Sequence, residues 1–175
     1  WHKDKLKEQI KIIERMKVDV VHTLSNTIDI NGKRQDKIKL DNQKFYKYFS
    51  LFFSSFNISL FSNFIFTSSC LIRNEGNLLF REENKLAAVE DWCFWIDFFY
   101  LDKKHFLIKK PFLKYRIRDD SLSNRSSDEQ YRKGFHLMRI LKEEKKINRI
   151  QFLLACLFIQ IKIIFYHVQA GINLK

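Results

Sequence analysis

The apolar residues of this chain come in short stretches whose spacing alternates along the sequence. That alternation constrains the fold more than any other feature. Leu6, Ile10, Ile13 and Met16 recur at helical spacing with Lys, Glu and Arg between them. This predicts a helix over residues 4–17 with those four side chains on its apolar face. Val18 to Leu24 is short and rich in β-branched residues, which predicts a buried strand. Asn31-Gly32, between Thr27–Ile30 and a lysine-rich return segment, predicts a hairpin turn. Asp41 or Asn42 can cap a helix running through the aromatic stretch to Phe53. A strand is expected over Phe64–Ile72, a loop over Arg73–Asn84, and a helix from about Leu86 to Leu101 with Trp92, Trp95, Ile96 and Phe99 on its apolar face. Phe106–Ile108 and Phe112–Ile117 read as two strands broken at Pro111, because proline lacks the ladder donor. A polar loop, Asp119–Ser127, and two helices over 128–146 and 147–168 complete an α/β order.

Such a fold needs apolar material, and 46% hydrophobic residues with 18 Phe supply it, which excludes wholesale disorder. Four Gly and one Pro exclude collagen-like and linker-rich classes. Cys70, Cys93 and Cys156 are odd in number and far apart, so they form neither a disulfide framework nor a CxxC metal site and read as buried thiols. The histidines are scattered, without an HExxH pattern. The N-terminal stretch is charged and amphipathic and does not read as a signal peptide. Phe152–Ile159 is an apolar run broken by Gln160 and Lys162, short of the roughly 18–20 residues of a membrane-spanning helix. A core-buried or surface-lying helix fits it. The net charge of +12 points to an anionic partner (nucleic acid, an acidic bilayer or a phosphate-bearing ligand) or simply to a solvated lysine-rich surface.

Two segments carry candidate chemistry. Glu90-Asp91 opens the helix that contains Trp92 and Trp95. Such a pair can be a stabilised helix N-terminus. Alternatively, a carboxyl walled by the two indoles would lose solvation, titrate high and serve as a general base. Arg116 and Arg118, two apart at a strand end, point to the same side, and Ser121 and Ser123 follow in the loop. Guanidinium forks with hydroxyls can grip a diphosphate; ordinary Arg–Asp pairing is the plainer reading.

In this order the motifs resemble the C-terminal half of a family 2 glycosyltransferase, the inverting, nucleotide-sugar-dependent type of bacterial surface-polysaccharide synthesis. Trp1–Gln9 resembles the segment just after that family's Asp-x-Asp metal motif. Val20–Lys33 resembles its next strand and Asp-x-Asn-Gly-Lys turn (Asp29, Asn31, Gly32, Lys33). Thr67–Arg73 resembles its Ser-rich strand. Glu90-Asp91-Trp92 with Trp95, then Tyr115-Arg116 and Ser121-Leu122-Ser123, resemble its Glu-Asp and Tyr-Arg…Ser-x-Ser motifs.

The resemblance covers about residues 1–125 and implies the acceptor-side part of a GT-A domain, an α/β fold with a Rossmann-like mixed sheet. Residues 126–175 would be a helical tail, either packed on the domain or resting on an anionic membrane. The resemblance implies Asp91 as the base for the acceptor hydroxyl and Glu90 as a residue orienting the acceptor. Arg116, Arg118, Ser121, Ser123, Trp92 and Trp95 would bind the donor diphosphate or the acceptor. A nucleotide-sugar donor, a glycan or lipid-linked acceptor and a divalent cation (Mg or Mn) are implied, with the nucleotide-binding half and the metal ligands expected before Trp1. The 175 residues alone are then expected to show little or no transfer. Family members often carry His where Arg118 stands, and Arg cannot ligate a cation. The implied location is cytoplasmic, with peripheral membrane contact and no nucleic acid. The alternatives are a basic nucleic-acid- or membrane-binding module without catalysis, and an inactive remnant. The aromatics of residues 45–66 read as core packing before sugar stacking.

Overall fold

A computed structural model describes residues 1–34, 42–74, 76, 78–118 and 127–172. The strand β1 (Val20–Ile28) forms the middle of a three-stranded sheet. β2 (Leu71–Ile72) pairs with it antiparallel on one side and β3 (His105–Arg116) parallel on the other. Six helices accompany the sheet: α1 (Lys5–Met16), α2 (Asn42–Phe49), α3 (Ser55–Phe61), α4 (Glu90–Tyr100), α5 (Ser127–Glu143) and α6 (Arg149–Ile172). The fold is therefore a mixed α/β arrangement.

Alternation along β1 distributes its side chains between two layers. Val21 packs with Ile13 and Val18, and partly with Ile12, on the α1 side. Val20 packs with Phe94, Trp95, Phe98 and Phe99 on the α4 side, together with Ile58, Phe64 and Ile65. A third cluster joins Val89, Cys93 and Ile96 to Leu137, Met138 and Leu141 of α5 and to Ala155 and Ile159 of α6. The C-terminal helices thus share a core with α4. Among the described residues no helix is long and apolar enough to cross a membrane.

Several sequence expectations change. Of the four side chains predicted for the apolar face of α1, Ile13 is buried and the other three point outward: Leu6 and Ile10 are 44% and 46% exposed, and Met16 is exposed too. The buried stripe is Lys5, Gln9 and Ile13. The Gln9 side-chain amide donates to the carbonyls of Val21 (2.7 Å) and Ser69 (2.9 Å), which ties α1 to β1 and to the turn before β2, while its Oε1 has no partner among the described residues.

The expected strand over Phe64–Ile72 shrinks to β2. Ser69 Oγ donates to the Phe66 carbonyl at 2.6 Å, and a 3₁₀ turn forms at Thr67–Ser69. A hydroxyl that bonds its own backbone competes with a ladder. Val18–Leu24 and Thr27–Ile30 are not separate strands, because β1 runs unbroken between them to Ile28. Likewise the two strands flanking Pro111 are one. β3 is an edge strand, and Pro111 lies opposite Leu24 at a shift of register, where its missing N–H leaves no gap.

The expected helix to Phe53 ends at Phe49, and α3 begins afresh where Ser54 Oγ accepts from the Asn57 N–H. The helix expected from Leu86 starts at Glu90, because Ala88 takes a positive φ of 74° after a 3₁₀ turn at Asn84–Leu86. The Asn31-Gly32 turn forms with Gly32 at φ 84°, and Asp29 Oδ1 accepts from the N–H groups of Asn31 and Lys33. Only Gly32 of the two is left-handed, so this is a longer turn than the two-residue type. Its return is seen as one bridge, Ile28 to Arg34, and the rest of the lysine-rich segment lies outside the described residues.

Cys93 to Phe99 are all buried, so α4 is enclosed on nearly every side and has no single apolar face. Its one buried charge, Asp97, is met by two cations: Arg81 Nη2 at 2.9 Å and Lys146 Nζ at 2.6 Å. Glu144 completes the group, 2.6 Å from Arg81 Nη1, and the pairing holds its carboxyl down at about 2. Removing one partner of such a group strands the others in a dry site. Asp97→Ala is expected to cost about 3 kcal/mol in urea unfolding, whereas Lys103→Ala, whose part-exposed partner is Asp19, costs under about 1 kcal/mol. Equal costs would show that the Asp97 group contributes no more than a surface pair.

Candidate functional site

α4 begins abruptly. Leu86 and Val89 are fully buried on either side of the positive-φ Ala88, and this fixes the entry of the chain into the helix. Glu90 and Asp91 therefore occupy the first turn, where unpaired N–H groups favour negative charge. Burial outweighs that help for Asp91 and raises its carboxyl above the ordinary range. A hydrogen bond from the Trp92 backbone and one from the Asn63 side chain pull it down, and the neighbouring Glu90 pushes it up. Glu90 Oε2 is buried without a partner among the described residues. The pair is thus a desolvated, like-charged site able to hold a proton.

The two indoles do other work. Trp92 Nε1 donates to the Ser59 carbonyl at 2.6 Å, and its ring lies against α5 at Gly134. A Cβ there would stand 3.0 Å from Trp92 Cζ3, so the close approach of α5 needs glycine. Trp95 is 2% exposed and meets the rings of Phe94 and Phe98 edge-on, so it is a packing residue with no surface for a ligand.

β1 and β3 are parallel, so the turn after Ile28 and the end of β3 lie at the same end of the sheet. Arg116 ties them: its Nη1 donates to the carbonyls of Asp29 (3.0 Å) and Ile30 (2.7 Å). One guanidinium nitrogen is thereby committed to the turn. Arg118 follows two residues later, exposed. Asn63 contacts Asp91, and the Phe66 ring lies tilted against Tyr115 with centroids 5.1 Å apart. Ser121 and Ser123 lie outside the described residues. Asn63 and Gln9 are the polar side chains that the sequence reading passed over. The signal for Asn63 was an amide inside the apolar run from Leu60 to Phe66.

Among the described residues no three His, Cys, Asp or Glu side chains converge. No protein-family model, no curated protein and no solved structure matches the chain.

A second polar cluster sits at the opposite end of the sheet. His22 Nε2 and His105 Nδ1 are 3.0 Å apart, and His105 Nε2 contacts Tyr46 Oη and Ser55 Oγ, each at 2.9 Å. A groove of about 680 Å³ opens beside it, lined by Ser55, Phe99, Tyr100, Lys104 and His105. Burial pushes His105 down to about 4, and burial with the neighbouring ring pushes His22 to about 3. Imidazoles that resist protonation this strongly are poor bases near neutrality, so the pair reads as a neutral structural bridge between β1, β3 and α3.

Two outcomes follow. Carboxyl NMR should place Asp91 above the ordinary value, and Asn63→Ala should raise it further because a hydrogen bond to the charged form is lost. A titration at or below the ordinary value would contradict the buried setting. For the histidines the folded pKa lies below the unfolded one, so stability is full above about 6.5 and declines as pH falls toward about 4. For His105 alone the loss is on the order of 3 kcal/mol. Comparing wild type with His105→Gln isolates it, and equal slopes in this window would contradict the neutral pair.

Proposed function

We propose that these residues form the acceptor-side part of an inverting glycosyltransferase of GT-A type, transferring a sugar from a nucleotide-sugar donor to a glycan or lipid-linked acceptor. One observation carries the reading: a desolvated carboxyl, Asp91, with a raised affinity for protons, stands at the start of a rigidly buried helix.

In this reading the Asp91 carboxylate takes the proton of the acceptor hydroxyl. The hydroxyl oxygen forms its bond to the anomeric carbon as the bond to the nucleoside diphosphate breaks on the opposite face, which inverts the configuration. Glu90, adjacent and half-buried with its Oε2 out of water, strengthens the basicity of Asp91 by charge repulsion and orients the acceptor. Arg116 works as a positioning residue through the turn at Asp29–Lys33. Arg118, on the exposed chain beyond β3, offsets the charge of the leaving diphosphate.

In the protein as encoded, with whatever precedes Trp1, Asp91→Asn is expected to lower turnover by roughly 10²–10⁴-fold, the range for loss of a general base. Donor affinity should be left nearly intact, because Asp91 serves the acceptor. Turnover undiminished by Asp91→Asn would overturn the assignment.

A further inference from the structure

The longest helix leaves one side uncovered. α6 is held from behind: Ala155 and Ile159 enter the core with α5, Gln151 Nε2 donates to Asn57 Oδ1 at 2.9 Å, and Lys162 Nζ donates to the Phe61 carbonyl at 2.8 Å. The opposite face carries Ile150, Leu153, Leu157, Ile161, Ile164 and Val168, each 43% to 68% exposed. Their steps of three and four form one straight stripe along a helix that is about 36 Å long. A contiguous exposed apolar stripe of this kind marks an interaction surface.

Charge decides what covers it. α6 contains Arg149 and Lys162 and no acidic residue. At its N-terminal end Lys142, Lys145 and Arg149 are exposed at the turn from α5; of the two carboxylates there, Glu144 is engaged by Arg81 and Lys146, and Glu143 offsets one of the three cations. The whole chain is +12, so a second copy laid on this stripe would bring like charge against like charge. An anionic bilayer offers the opposite: an apolar layer for the stripe and negative headgroups for the basic end.

From this we infer that α6 is a docking face for an anionic membrane surface, lying in the interface with its Ile/Leu stripe toward the acyl chains and Lys142, Lys145 and Arg149 among the headgroups. The inference rests on α6 and its basic turn and does not depend on the transferase reading, so either can fail alone.

The test is co-sedimentation of the 175-residue chain with vesicles of phosphatidylcholine alone and of phosphatidylcholine mixed with phosphatidylglycerol. The chain is expected to sediment with the mixed vesicles and far less with the neutral ones, and raised salt should weaken the binding. Lys142→Ser, Lys145→Ser and Arg149→Ser together should lower affinity on the order of 100-fold, and a melting transition kept within a few degrees shows that loss of the Lys142 contact with the Phe152 ring has not unfolded the chain. Leu157→Glu with Ile161→Glu should abolish binding while the melting transition is kept, because both side chains are exposed. Failure to sediment with mixed vesicles, or equal binding to both kinds, would overturn the proposal. So would a dimer in sedimentation equilibrium that Leu157→Glu with Ile161→Glu dissolves, since a second copy would then cover the stripe.

Discussion

The enclosure of α4 is the constraint on which the rest of the structure depends. A helix buried from Cys93 to Phe99 must be covered on every side, and each covering element is recruited to that end. The sheet covers it through Val20, α3 through Ile58 and Leu60, and the C-terminal helices through Leu137, Met138 and Ile159. One charge inside this helix, Asp97, would be prohibitive alone. Arg81 reaches it from the loop before α4 and Lys146 from the turn between α5 and α6. A single carboxylate therefore fixes three separate chain segments, and burial of α4 in turn fixes the direction in which its first residues emerge.

That emergence links packing to chemistry. The positive φ at Ala88 and the buried anchors Leu86 and Val89 fix Glu90 and Asp91 in the first turn of α4, half-buried. Desolvation follows, and with it the raised proton affinity of Asp91. Trp92 and Trp95 contribute by holding the helix, one through the Ser59 carbonyl and one through an aromatic cluster. At the far end of the sheet the His22–His105 bridge closes the fold with neutral, buried rings.

Much of this order was legible in the sequence. α1, α5, α6 and the middle of α4 stand where helical spacing places them, because long periodic segments outweigh local exceptions. The face of α1 was not legible: periodicity counts apolar residues, and Gln9 is buried and donates two hydrogen bonds. Nor was the shortness of β2, since a serine hydroxyl that satisfies its own backbone looks like any strand residue in sequence. Pro111 hid the continuity of β3, because its tolerance depends on an edge position that only the pairing reveals. For the site, the Glu90-Asp91 pair was visible, while Asn63 was not singled out, as its contact spans a turn of chain that no local spacing encodes.

α4 is the fixed pillar of the molecule, and Asp91 is held at its start. Native-state amide hydrogen exchange measures this pillar residue by residue. The amides of Cys93 to Phe99 are expected to exchange only through global unfolding, as slowly as those of β1, while the exposed half of α6 opens locally. Exchange of the α4 amides as fast as that of α6 would contradict it.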